Sequence, residues 1–175
     1  MNTRRWFLSI LTLASLSATT LERLSMDQII SKSTYIVRAS VIGGAGMLSN
    51  RSIYTKYSLQ VSETLKGSPA TSIDVLVPGG TASGMSQSIA GAPKLTAGTE
   101  MVLFLWKSPK GHLMVIGMQQ GAFALQKDAA GKQFIMRSAI TDSALLDGAT
   151  LIPQSDNGFR MSLLELRQKI GVAKD

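Results

Sequence analysis

The sequence predicts a mainly β, antiparallel fold: a small barrel or a sandwich of six to eight strands, with a short N-terminal helix and an amphipathic C-terminal helix. Three observations predict it. Ile53, Thr55, Tyr57, Leu59 and Val61 alternate with Tyr54, Lys56, Ser58 and Gln60, the two-residue period of a half-buried strand. Turn-forming clusters recur at intervals of about ten residues. Met101 to Trp106 is apolar at every position, so that strand is expected to be buried on both faces. At 175 residues and 45% hydrophobic content, the chain has room for one ordinary domain with a real core.

Residues 1–17, MNTRRWFLSILTLASLS, read as an export signal peptide. Arg4 and Arg5 form a basic start, and Trp6 to Leu16 is an apolar run too short to cross a bilayer comfortably. Ser15 and Ser17 are small enough to flank a cleavage site, with Ala18 as the new terminus and 18–175 as a single β-rich domain. The string Thr3-Arg4-Arg5-Trp6-Phe7-Leu8 resembles the twin-arginine export motif, departing from it at Ser9, where lysine is common. An anchor that stays on is the competing reading. No later stretch has the length of a transmembrane helix. The mature protein is therefore expected in the periplasm or outside the cell. The formal charge of +7 falls to about +5 without Arg4 and Arg5, which favours solubility and weak attraction to anionic surfaces.

In chain order, Ser25-Met26-Asp27-Gln28 is a capping box, and it predicts a helix over 26–32 with Met26, Ile29 and Ile30 on one face. Tyr35 to Ile42 reads as a strand ended by Gly43, Gly44 and Gly46. The alternating strand from Ile53 closes at Lys66-Gly67-Ser68-Pro69. Ile73, Val75 and Val77 give the next, with Asp74 outward and Pro78-Gly79-Gly80 as its stop. Ser108-Pro109-Lys110-Gly111 turns Met101–Trp106 back into Leu113–Met118. Phe123–Gln126 and Gln133–Arg137 flank the turn Asp128–Gly131. Ala139–Asn157 is expected to be an irregular arm. Ser162-Leu163-Leu164-Glu165 is a second capping box, opening a helix over about 162–170 with Leu163, Leu164, Leu166 and Ile170 on its apolar face. A barrel of OB type suits this pattern, because one long alternating strand can serve both halves of a bent sheet.

Several chemistries lack their residues. Cysteine is absent and His112 is the single histidine, so no thiolate, disulfide or ordinary zinc set exists. Gly79–Gly84 has no lysine leading into a helix, as a phosphate loop needs. Gly84-Met85-Ser86-Gln87-Ser88 fails the Gly-x-Ser-x-Gly elbow at its last position. His112, the only base for Ser86, falls at a hairpin turn where solvation is expected. Glu63, Asp74 and Glu100 are expected to be solvated rather than paired in one pocket, and Asp142, Asp147 and Asp156 are too dispersed for a calcium loop. Met85, Met101, Met114, Met118 and Met136 show no clustered copper pattern, and most fit as core filler. Tyr54, Lys56 and Ser58, with Arg51 just before, could form a nucleic-acid face, but aromatic content is only 6% and a solvated face is the favoured reading. No catalytic residue, metal or cofactor is assigned.

What remains is the segment Gly79–Gly98, long for a connection without structure of its own. It is read either as a recognition loop over a barrel mouth or as a meandering connection with a short strand near Ser86–Ala90. Its candidate contact residues are Gly79, Gly80, Ser83, Gly84, Ser86, Gly91 and Pro93.

The motifs Ile53-Tyr54-Thr55, Leu65-Lys66-Gly67, Val77-Pro78-Gly79-Gly80, Gly91-Ala92-Pro93, Ala97-Gly98-Thr99-Glu100, Leu103-Phe104-Leu105 and Gln120-Gly121-Ala122-Phe123, in this order over Ser25–Arg137, resemble a family of exported, largely uncharacterised bacterial proteins. More distantly, the helix, the strand and the Tyr54-Thr55, Val61, Leu65-Lys66-Gly67 pattern are similar to the OB-fold of tissue metalloproteinase inhibitors and netrin modules. That resemblance implies fold more than activity, since those inhibitors chelate a metal through an N-terminal cysteine and this chain has none. The leading expectation is a non-catalytic exported binding domain engaging an unknown protein or envelope partner. A periplasmic hydrolase or protease-associated enzyme and a structural envelope protein are the alternatives.

Overall fold

The computed structural model describes residues 20–172, so the expected signal segment lies outside the described residues. A short strand, β1 (Thr20–Glu22), leads to helix α1 (Met26–Lys32). The capping box forms as the sequence requires: Ser25 Oγ accepts from the Gln28 amide at 3.2 Å, and Gln28 Oε1 accepts from the Ser25 amide at 2.8 Å. Ile29 and Ile30 are buried beneath the helix.

Strand β2 (Tyr35–Ser49) does not stop at the glycines, and it pairs along its length with β3 (Ser52–Lys66) in a ribbon running from Ile36↔Lys66 to Ser49↔Ser52. The expectation that Gly43, Gly44 and Gly46 end the strand is corrected, and packing gives the reason. A Cβ on Gly46 would run into the Thr81 carbonyl, and one on Gly44 would lie 2.7 Å from the Tyr57 ring. These glycines keep the strand thin where other atoms lie across it. A register shift between Val41 and Gly43 marks a bulge where the ribbon leaves the core.

Strand β4 (Ser72–Pro78) continues the meander antiparallel to β3. A small hairpin follows, β5 (Gly80–Ala82) and β6 (Met85–Gln87), slightly earlier than the strand expected at Ser86–Ala90. β7 (Glu100–Lys107) is buried on both faces: Met101, Leu103 and Leu105 enter one core, Val102 and Phe104 another. β8 (Leu113–Val115) ends sooner than expected because Gly117, in the left-handed region, turns the chain into a 3-10 turn at Met118–Gly121. β9 (Ala122–Lys127) and β10 (Gln133–Arg137) form the next hairpin. The arm expected to be irregular contains two short strands, β11 (Ala144–Leu146) and β12 (Pro153–Gln154), and β11 runs parallel to β1. β13 (Phe159–Ser162) borders β10 and passes directly into α2 (Leu163–Val172). Ser162 Oγ caps the Glu165 amide at 3.1 Å. Leu163, Leu166 and Ile170 face inward, whereas Leu164, expected on the same face, is exposed.

The main sheet has the order β13-β10-β9-β7-β2-β3-β4-β8, and β8 also pairs with β7. Its return to β4 is parallel and only two register pairs long, Val75↔Leu113 and Leu76↔Met114. Among the described residues the protein is thus mainly β with two α-helices, its sheets do not close into a clear barrel, and the expectation of wholly antiparallel pairing is corrected at β4–β8 and β1–β11. Two cores share β7 and β2. One lies among β2, β3, β4, β7 and β8; the other lies between the sheet and α1 and α2, where Phe104, Phe123 and Phe159 pack edge to face at 5.4 and 5.5 Å.

Candidate functional site

Two hairpin tips lie side by side at the end of the ribbon. At the β2–β3 turn, Asn50 and Arg51 both have positive φ, 47° and 66°. At the β5–β6 turn, Ser83 and Gly84 do as well, 51° and 74°. Two consecutive left-handed residues make the turn whose twist matches paired strands, so each tip is a short, stiff hairpin end.

The hairpins are fastened together by polar bonds. Gln87 Oε1 accepts from the Ile53 amide at 2.7 Å, the Gly79 amide donates to the Ile53 carbonyl at 2.8 Å, and Thr55 Oγ1 donates to the Gly79 carbonyl at 2.8 Å. Gly80 lies directly against Thr55, where a Cβ would not fit. Between the tips runs a groove of about 390 Å³ lined by Leu48, Arg51, Ile53, Met85, Ser86 and Gln87. Leu48 and Met85, 46% and 50% exposed, line it together, and Met47, 36% exposed, is on the opposite face of β2.

The seven candidate residues therefore separate. Ser83, Gly84 and Ser86 are exposed on the β5–β6 tip, with Ser86 Oγ 2.8 Å from Thr81 Oγ1. Gly79, Gly80, Gly91 and Pro93 belong to packing. Gly91 is buried, and a Cβ there would lie 2.7 Å from Leu21 and 2.9 Å from Ser143 Oγ. Beyond Gln87 the segment is a strap tied down at both ends: the Gln119 amide donates to the Gly91 carbonyl at 2.9 Å, and the Gly98 amide to the Val41 carbonyl at 2.8 Å. Leu95, between them, is buried in the first core.

No protein-family model matches this sequence, and no curated protein matches it. The site is therefore read from its own atoms.

Of the carboxylates expected in solvent, Asp74 is exposed, whereas Glu63 and Glu100 are half-buried in ion pairs. Glu100 takes two hydrogen bonds from Arg38, at 2.7 and 2.9 Å, and Glu63 takes three from Arg167 at 2.8–3.1 Å. The Arg38 bonds hold Glu100 below the usual carboxylate range, and Glu100 in turn raises Arg38. Ser58 donates to Asp74 at 2.8 Å and Lys56 lies 3.3 Å away, which lowers Asp74. Asp156 is the most enclosed. Burial pushes it up, but the Arg137 pair and the Ile140 and Gly158 amides outweigh that and leave it low. Asp147 caps the turn that follows it, accepting from the Ala149 and Thr150 amides. These are structural pairs spread over the molecule, with Lys56–Asp74 beyond the bulge of the ribbon and Arg38–Glu100 at its other end.

Ser86 and His112 sit on different hairpins, β5–β6 and β7–β8, and do not hydrogen-bond to each other; His112 is exposed on its turn. Among the described residues no cluster of three or more His, Asp or Glu could hold a metal ion, and no helix is long and apolar enough to cross a membrane. Sequence reasoning missed Met47 and Leu48 and, reading most of the methionines as core filler, did not single out Met85. The available signal was Asn50-Arg51 standing as a two-residue turn between apolar strand ends, which extends β2 past its glycines.

Proposed function

We propose that this protein is an exported, non-catalytic binding domain that engages a protein or envelope partner through the paired hairpin tips. The observation that carries the reading is the exposure of Met47, Leu48 and Met85 on two stiff turns held in register by the Gln87 and Thr55 bonds. Apolar groups held rigidly in water cost little further ordering on binding, which is what an interaction surface requires. Export is supported by Arg4, Arg5 and the apolar run to Leu16. An OB-like barrel is the scaffold we assign. It is supported by the β2-β3-β4 meander, the β7–β8 hairpin, the β2–β7 pairing and the parallel β4–β8 contact, which together return the chain of pairings to its start.

The test is affinity capture from an envelope extract with residues 18–175, beside a Leu48→Ser/Met85→Ser variant whose folding is checked by circular dichroism. One partner retained by the natural protein and lost by the variant is the expected result. Equal capture by both, or none by either, would remove the tips from consideration. Ser86→Ala and His112→Ala are expected to leave capture unchanged; loss of a hydrolytic activity in either would favour the enzymatic alternative.

A further inference from the structure

The tips carry a distinctive charge as well as apolar surface. Ala39–Ser62 and Val75–Thr99, the stretches that build them, contain no Asp or Glu. Their cations are Arg51, Lys56 and Lys94. Lys56 is paired with Asp74, and Lys94 lines a neighbouring cleft together with Asp142. Arg51 lines the apolar groove itself and, among the described residues, makes no ion pair. Glu63 and Glu100 lie at the far end of the ribbon, beside Arg38. From Ile53 to Glu63 is about 30 Å of strand, several times the Debye length of roughly 8 Å at physiological salt. The groove therefore presents apolar groups with one uncompensated positive charge.

Shape narrows the occupant further. Leu48 stands just before the Asn50-Arg51 turn, and Met85 just after Ser83-Gly84, so the apolar groups of the groove are at the outermost residues of both hairpins. A tip-to-tip contact with a second copy would bring Arg51 against Arg51 with no carboxylate between them. An anionic bilayer suits both features: projecting apolar side chains enter the boundary between headgroups and acyl chains, and a cation just behind them meets phosphate.

We propose that the paired tips dock on an anionic lipid bilayer, with Leu48 and Met85 entering the interface and Arg51 facing lipid phosphate. The proposal rests on the binding-domain reading and names its partner. It is tested with residues 18–175, which hold every described element, by sedimentation with vesicles of phosphatidylglycerol and phosphatidylcholine, and of phosphatidylcholine alone. Binding is expected to the anionic vesicles, to weaken with added salt, and to fall by about tenfold or more in Leu48→Ser/Met85→Ser. Arg51→Gly, which keeps a residue suited to the left-handed turn, is expected to lose about fivefold. Absence of binding, equal binding to neutral vesicles, or variants that bind like the natural protein would overturn it. Photo-crosslinking to envelope proteins separates the two readings. If vesicles fail but a crosslinked protein is lost in the tip variant, the membrane proposal falls and the binding domain stands. If neither responds to the variant, both fall.

Discussion

The two halves of the β2–β3 ribbon are made of the same strands but do opposite things. In the covered half, Val37, Ala39, Val41 and Leu59 are buried, with β4 and β7 flanking them and α2 reaching across to Glu63. In the bare half, beyond the bulge at Val41/Gly43, β4 still pairs with β3 from Tyr54 to Ser58, but β2 has lost β7 and has only the small β5–β6 hairpin across it, and Met47 and Leu48 remain in water. A strand keeps its hydrogen bonds with or without a second layer, whereas its apolar side chains stabilise the fold only where a layer covers them. The covered half therefore carries stability, and the bare half is free to carry recognition.

The comparison is sharpest at Phe104, fully buried between β7 and the helices. Phe104→Ala is expected to destabilise by about 3–5 kcal/mol, while Leu48→Ser stays within about 0.5 kcal/mol, both read from denaturant unfolding midpoints. Similar losses for the two would break the division.

Asp156 tests the covered end electrostatically. Removing its charge leaves Arg137 enclosed and unpaired, so Asp156→Asn is expected to cost about 3 kcal/mol. The pH dependence has a definite sign. Asp156 and Glu100 are both low when folded. Their stabilisation is therefore complete above the unfolded carboxylate range near pH 4, and it is lost as pH falls from there through the lower folded values. The Arg38–Glu100 pair is partly exposed and contributes less through screening. Thermal unfolding between pH 7 and pH 2 should show the acid loss, and Asp156→Asn should flatten it.

Gly46→Val is expected to cost about 1–3 kcal/mol, because its side chain meets the Thr81 carbonyl. Faster amide hydrogen exchange confined to the β5–β6 hairpin is the signature; exchange spreading into β7 would mean that the halves are not separable. Arg51→Gly should produce the smallest effect, a gain of about 0.5 kcal/mol from relieving a left-handed non-glycine residue. A loss instead would show that the Arg51 side chain packs at the tip.

The amino-acid order by itself determined whatever is decided within a few residues. The Ser25–Gln28 box sets the start of α1, the alternation from Ile53 sets the inner face of β3, and the apolar run of β7 sets its burial on both sides. Each is a local periodicity or a local hydrogen bond, so a short window contains its cause. Tertiary structure decided what depends on partners distant in the chain. Gly43–Gly46 looks like a strand stop until Thr81 is seen crossing it, and Glu63 and Glu100 look solvated until Arg38 and Arg167 arrive from other elements. Met85 is one methionine among several until the hairpin bearing it is found exposed beside the β2–β3 turn. Sterics and charge pairing act over a few ångströms in space but across 35 to 104 residues of sequence, as Gly46–Thr81 and Arg167–Glu63 do, so only the folded arrangement could distinguish a site from a core.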